Sequence, residues 1–354
     1  MRIVTVVGNR PQFIKAAAVS GPLREQHEEI LVHTGQHYDD SLSSVFFAEL
    51  GLARPDRELQ IGGGSNTSQT ARMLAALEPL LAHSSADALL CYGDTNSTLA
   101  GALAGAQAHV PVVHVEAGMR SFDRTMPEEL NRVLSDHVAD LLLCSSDSAA
   151  EHLRAESVAG RIEVVGDVMV DVALRWQPAA RADAAAPAAY GVMPGSYLLL
   201  TAHRAGNVDD PARLRALVEL IAALPGPVLF PLHPRTRARL LESAEMSDLE
   251  RVEGLIITEP LGYAEFSALV CQARAVLTDS GGVQKEAYLA GVPCLTLRAN
   301  TEWTETVQSG WNTLVDLDAK AALAALGRTP PQERPELYGD GRAAERCVEA
   351  IGRL

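Results

Sequence analysis

The feature that most constrains this chain is a rhythm: short β-branched apolar runs alternate with longer stretches of helical period from the first residues onward. Parallel strands need a crossover between them, usually a helix, so the rhythm predicts βαβ units and parallel sheets. In the first half, strands are expected near 2–7, 29–34, 87–92, 111–116, 140–145 and 162–165, with helices starting near 13, 41, 67, 96, 127 and 147. From Gln177 to Pro194 the pattern breaks, because Pro178, Pro187 and Pro194 punctuate an Ala-rich stretch without amphipathic period, and this reads as a linker. A second series follows, with strands near 197–202, 227–231, 254–258, 275–278 and 293–297 and helices starting near 211, 235, 263, 282 and 302.

A chain of 354 residues exceeds one ordinary core. The expected organisation is an N-terminal Rossmann-like domain over 1–177, a C-terminal Rossmann-like domain over 195–336, and a terminal segment 337–354. The helix near 341–352 in that segment can pack on either domain, including back on the N-terminal one. The expected class is α/β, two Rossmann-like domains with a central cleft. Ligands of such sheets sit beyond the C-terminal strand ends, so the loops there are where chemistry is sought.

Composition removes several function classes. A formal net charge of -15 and the lack of a basic run argue against nucleic acid as a partner. A small anion remains compatible, since a few placed Arg and Lys side chains can hold a diphosphate inside an acidic protein. No apolar stretch reaches membrane-spanning length, and the Ile3 to Val7 run is too short for a signal-peptide core, so no membrane insertion and a cytoplasmic location are expected. Cys91, Cys144, Cys271, Cys294 and Cys347 are far apart and odd in number, which reads as free thiols in a reducing compartment.

Several strand ends carry chemistry. After the first strand, Gly8-Asn9-Arg10-Pro11 leads into a helix bearing Lys15, a gathering of positive charge and helix-start N–H groups that suits a phosphate, although Arg10 also reads as an ordinary surface arginine. In the second series, Asp279-Ser280-Gly281-Gly282 ends a strand and opens a helix, so unhindered N–H groups can approach a diphosphate, with Glu286 one turn further on and able to accept from ribose hydroxyls. A glycine-assisted cap with nothing bound is the plainer reading.

Three acidic loops crowd the first sheet: Gly93-Asp94-Thr95, Val115-Glu116-Ala117 and Pro127-Glu128-Glu129. Asp94 alone also fits a helix cap, and Glu128 and Glu129 fit a first helical turn after Pro127. Together they concentrate like charge, which raises at least one carboxyl pKa and equips a site for proton transfer. Across the linker, His203 ends a strand and suits a general acid or a stabiliser of a leaving phosphate; His37 and His233 are comparable by position. The histidines lack the close paired spacing of a zinc motif, and the dinucleotide fingerprint is missing, so neither a metal nor a redox cofactor is expected.

The segments Gly8-Asn9-Arg10-Pro11, Thr34-Gly35-Gln36-His37, Gly93-Asp94-Thr95, His114-Val115-Glu116-Ala117-Gly118, Pro127-Glu128-Glu129-Leu130-Asn131-Arg132, His203-Arg204 and Asp279-Ser280-Gly281-Gly282 together resemble the non-hydrolysing UDP-N-acetylglucosamine 2-epimerase family. Their order and spacing match from the first strand to about residue 315. The resemblance implies a glycosyltransferase-B-like fold, a UDP-sugar substrate and a homodimer. It also implies roles by position: Asp94, Glu116 and Glu128 as the proton-transfer carboxylates; His203 as the group aiding UDP departure; Arg10, Phe266, Ser280, Gly281, Gly282 and Glu286 at the UDP; Lys15 in support; Arg132 ordering the acidic loop. The implied reaction eliminates UDP across C1–C2 and re-adds it, inverting C2.

One departure stands out. The family usually reads His-Arg-x-Glu-Asn where this chain has His203-Arg204-Ala205-Gly206-Asn207, so a carboxylate beside the proposed histidine is lost. Segments such as Pro231-Leu232-His233-Pro234-Arg235 and Asn300-Thr301-Glu302-Trp303 resemble one subgroup, the UDP-2,3-diacetamido-glucuronate 2-epimerases. The readings that compete with a reversible UDP-N-acetylglucosamine epimerase are that subgroup, a hydrolysing relative, a glycosyltransferase of the same fold, and a non-catalytic UDP-sugar-binding protein.

Overall fold

The computed structural model describes residues 1–36 and 51–354. His37 and the helix expected from about residue 41 lie outside the described residues. The chain divides into two compact units, Met1–Leu174 with Glu336–Leu354, and Arg175–Pro335.

Among the described residues, the first unit holds strands β1 (Arg2–Val7), β2 (Glu28–His33), β3 (Arg57–Glu58), β4 (Ala88–Tyr92), β5 (Val112–Ala117), β6 (Leu141–Cys144) and β7 (Arg161–Val164). They lie in the order β3-β2-β1-β4-β5-β6-β7, and every recorded pairing is parallel. The second unit repeats the plan with β8 (Leu198–Thr201), β9 (Val228–Pro231), β10 (Leu255–Thr258), β11 (Ala275–Thr278), β12 (Cys294–Thr296) and β13 (Asn312–Leu314), ordered β10-β9-β8-β11-β12-β13. Both sheets start at a central strand, grow one way, then cross back and grow the other way, which is the Rossmann order. Its reversal falls between β1 and β4 and again between β8 and β11. There the connections part in opposite directions and leave room at the C-terminal strand ends.

The apolar runs form strands because both faces are covered. Every residue of β4 and β5 is buried. In the second sheet Leu198, Leu200 and Leu277 enter one apolar cluster, while their neighbours Tyr197, Leu199 and Val276 enter another. Continuous apolar runs, rather than alternating ones, are what such a sheet requires. The following helices open on polar caps set directly after the strands. Asn9 accepts from the Gln12 N–H at 3.3 Å, and Thr95 and Thr98 form a reciprocal capping box. Thr95, and not Asp94, is the cap of the helix Asn96–Gln107.

Several described elements were not expected from the sequence, among them β3, β13, the helix Val168–Ala182 and the helix Ala319–Leu326. β3 and β13 carry two and three residues, too few for a periodic signal. The helix Val168–Ala182 runs through Pro178 into the stretch expected to be a linker. Pro178 removes one backbone donor, but buried Val168, Met169, Val170 and Val172 anchor the preceding turns, and the Ala and Arg residues that follow are good helix formers. The terminal helix Ala343–Ile351 packs on the helix Arg10–Gln26 within the first unit. Its Ala343 and Ala344 N–H groups donate to the Asp171 carboxylate at 3.1 and 2.7 Å, which caps a terminus lacking a capping side chain of its own.

Candidate active site

In the first unit, the ends of β1, β4 and β5 bring together residues distant in sequence. Lys15, on the helix that follows β1, pairs directly with Glu116 at the end of β5, and each side chain is about nine-tenths buried (10% and 9% exposed). Gly93 passes beneath the pair with φ +65°, and a Cβ built on it would lie 3.0 Å from Lys15 Nζ and 3.1 Å from Glu116 Oε2. Only glycine both adopts this backbone and leaves that space. The next residue, Asp94, accepts from Arg132 at 2.9 Å, and its backbone carbonyl accepts from Asn131 Nδ2 at 3.0 Å.

Glu116 itself has φ +70°, and the register of β5 against β6 shifts between Val115 and Ala117. A left-handed non-glycine residue costs about 1–2 kcal/mol, and such strain is retained where a bulge must aim a side chain. No signal in the sequence announces it.

The two acids after Pro127 separate in role. Glu129 is 2% exposed and accepts from Ser121 N, Ser121 Oγ and Phe122 N, each at 2.9 Å, and pairs with Arg132 at 3.0 Å. It is consumed in fixing the Ser121–Phe122 turn. Glu128 is half-buried and lies close enough to Asp94 to act on it electrostatically. Burial pushes the Asp94 carboxyl above its ordinary value; Arg132 opposes this, Glu128 adds to it, Lys15 opposes and Glu116 adds. The Asp94 side chain still keeps 31% of its surface open. It is a carboxyl shifted toward neutral pH with a route for protons. Arg10 is the first residue of the Lys15 helix and is half-buried.

In the second unit the organising residue is one to which sequence reasoning gave no role. Asp279, fully buried at the end of β11, accepts from the backbone N–H of His203 at 2.9 Å, from that of Arg204 at 2.9 Å and from Asn207 Nδ2 at 3.2 Å. The His203 ring brings its Nδ1 to 3.5 Å from the same carboxylate and stacks on His233 with centroids 5.0 Å apart. A carboxylate therefore stands beside His203 even though Gly206 supplies none, and nothing lies within 4 Å of a Cβ built on Gly206. Asp279 was readable as part of the Ser-Gly-Gly segment, but its reach across to the β8 loop depends on strand pairing.

Ser280 opens the helix Gly281–Ala290 without using its hydroxyl as a cap. Gly281 is buried, a Cβ on it colliding with Glu302, whereas Gly282 is half-exposed and a Cβ on it would meet only Ser280 Oγ, at 3.9 Å. Glu286 lies on the same helix, half-buried. Phe266 is 5% exposed and sits in an apolar cluster with Val283 and Ala287 of that helix. Among the described residues, no group of three or more His, Cys, Asp or Glu is arranged to hold a metal ion.

The family model for UDP-N-acetylglucosamine 2-epimerase matches residues 23–352. The UDP-2,3-diacetamido-2,3-dideoxy-D-glucuronate 2-epimerase of Pseudomonas aeruginosa is 43% identical, the match covering all of both chains. A UDP-N-acetylglucosamine 2-epimerase homolog of Methanococcus maripaludis is 42% identical over all of both chains. The crystal structure of Methanocaldococcus jannaschii UDP-GlcNAc 2-epimerase in complex with UDP-GlcNAc and UDP matches with a TM-score of 0.93 and 38% identity, covering 100% of each chain.

Proposed function

Because the chain belongs to the UDP-N-acetylglucosamine 2-epimerase family, we propose that it is an epimerase that inverts C2 of a UDP-linked 2-acetamido sugar. C2 of such a sugar has no adjacent carbonyl, so direct deprotonation is prohibitive. In the proposed route a carboxylate removes the C2 proton, the C2–H electrons form a C1=C2 double bond, and the C1–O pair leaves with UDP. UDP then re-adds to C1 and a second carboxyl delivers a proton to the other face of C2.

Asp94, Glu116 and Glu128 carry the proton transfers, and Lys15 and Arg132 hold the first two of them. Arg10, Ser280, Gly281, Gly282, Glu286 and Phe266 hold UDP, and His203 stabilises the departing diphosphate. The observation that carries the reading is the left-handed Glu116, buried against Lys15 over Gly93, beside a carboxyl shifted upward. Neither a packing role nor simple nucleotide binding calls for that arrangement.

The decisive experiment incubates the protein in deuterium oxide with UDP-N-acetylglucosamine and follows C2 by NMR. Deuterium at C2, with both C2 epimers of the UDP-sugar present, is expected; no exchange with any UDP-sugar in a panel contradicts the reading, and free sugar with stoichiometric UDP makes the protein a hydrolase. A second substrate, UDP-2,3-diacetamido-glucuronate, is favoured by the 43% full-length identity to the Pseudomonas enzyme and belongs in that panel.

The protein is proposed to act as a cytoplasmic homodimer. Exposed Leu130 and Leu134, one turn apart on the helix Pro127–Val138, support a protein contact there, and the five free thiols suit a reducing compartment. Light scattering giving a monomer mass at micromolar concentration excludes the dimer.

A further inference from the structure

Behind the first-unit carboxylates lies a pair of buried polar side chains that neither the sequence reading nor the proposed chemistry uses. His114, on β5 two residues before Glu116, and Asp136, on the helix Pro127–Val138, are both fully buried. His114 Nδ1 lies 2.7 Å from Asp136 Oδ1, and His114 Nε2 lies 2.7 Å from the carbonyl oxygen of Gly93. A carbonyl only accepts, so Nε2 carries a proton. Asp136 is ionised: burial pushes its carboxyl up, but the facing His114 and Arg120 outweigh that and hold it below the usual carboxylate range. Nδ1 faces that carboxylate at hydrogen-bond distance, so both ring nitrogens are engaged. The second Asp136 oxygen accepts from the Gly118 N–H at 3.1 Å and from Arg120 at 2.7 Å, and Arg120 in turn grips Glu156 at 2.7 and 2.8 Å.

These bonds land on the backbone of two of the three elements that carry the proposed acids and bases, and Asp136 itself belongs to the third. Through His114 the pair holds the carbonyl of Gly93, which fixes the peptide plane leading into Asp94. Through Asp136 it holds the N–H of Gly118, two residues after Glu116 in a turn where Gly118 has φ +79°. Asp136 sits on the same helix as Glu128, eight residues further along. We propose that His114 and Asp136 are positioning residues, which set Asp94, Glu116 and Glu128 in the mutual register that proton transfer requires while touching no substrate. A plain core role asks only that two buried polar groups satisfy each other, and does not call for both outer atoms to end on the two active loops. The proposal rests on the epimerase reading above.

The test compares wild type, His114→Gln, Asp136→Ala and Asp136→Asn, each corrected for its folded fraction, in the C2 deuterium exchange and in steady-state turnover. An asparagine at 136 can keep the bond map, its amide N–H donating to His114 Nδ1 and its oxygen serving Gly118 and Arg120. Small displacements of reacting groups cost up to about 100-fold in rate. His114→Gln and Asp136→Ala are therefore expected to lose roughly 10- to 100-fold in kcat with KM and UDP affinity within about threefold, and Asp136→Asn is expected to recover most of kcat. Retention of kcat within about twofold by His114→Gln and Asp136→Ala overturns the proposal. So does a loss confined to KM, or an Asp136→Asn as damaged as Asp136→Ala. If His114→Gln does not fold, the two Asp136 variants decide alone. Wild type that exchanges no deuterium with any sugar sinks the epimerase reading instead, so the two failures are told apart.

Discussion

Glu116 and Asp94 are adjacent in space through Gly93 and Lys15, yet each is held by a different cation, and that difference makes their proposed roles separable. Replacing either carboxylate with its amide keeps volume and most hydrogen bonds but removes the proton-transfer group. Asp94→Asn and Glu116→Gln are each expected to lower kcat by about 100- to 10,000-fold while UDP affinity, measured by calorimetry, stays near wild type. Unchanged turnover in both removes them from the mechanism. Arg132 gives a second handle. Its guanidinium opposes the upward push of burial on Asp94, so removing that charge leaves the carboxylate form less favoured and the pKa higher. In Arg132→Gln the limb of the kcat–pH profile that belongs to Asp94 is expected to move to higher pH, and in Arg132→Lys less far. A shift to lower pH contradicts the assignment of that limb.

The elements explain why so much of the candidate site could be read before the structure and why some could not. The loops after β1, β4, β5, β8 and β11 were legible because apolar runs ended at recognisable positions and the residues beyond them were charged or glycine. Asp94, Glu116, Lys15 and Arg132 meet because a Rossmann order sets β1, β4 and β5 side by side. What stayed hidden depends on cross-strand geometry. The left-handed turn of Glu116 is a bulge, Asp279 reaches from one strand end to the next, and His114 meets Asp136 across 22 residues. Pro178 misled because tertiary anchoring of the helix Val168–Ala182 overrode a local breaker. The helix Gly281–Ala290 yields its own prediction. A Cβ at 282 makes only an ordinary contact, with Ser280 Oγ at 3.9 Å, so Gly282→Val should fold with little change in Tm, yet it places methyl groups where the proposed diphosphate must approach the backbone. UDP affinity is expected to fall about tenfold or more, a loss of roughly 1.4 kcal/mol, and calorimetric titration with UDP checks it. Unchanged affinity moves the diphosphate away from this helix start.

At the scale of the whole chain, the first unit is discontinuous: the backbone leaves it after Leu174, inside one helix, and returns at Glu336. The returning segment buries Tyr338, Cys347, Val348 and Ile351, none more than 2% exposed, and its helix packs on the helix that carries Arg10 and Lys15. Burial of four such side chains contributes about 6–12 kcal/mol, comparable with the entire stability of a domain. Ending the chain after Pro335 should therefore unfold the first unit, although all three proposed carboxylates remain in the sequence. The second unit keeps both apolar clusters of its sheet and should survive. Differential scanning calorimetry of the 1–335 protein is expected to lose one transition and keep another, with turnover abolished and UDP binding weakened but present. A milder cut at the same contact is Asp171→Ala, which strips the acceptor from the Ala343 and Ala344 N–H groups and should cost about 1–2 kcal/mol of first-unit stability. If the truncated chain keeps its full calorimetric profile and its turnover, the terminal helix does not support the first unit, and the Lys15 helix stands without this distant segment.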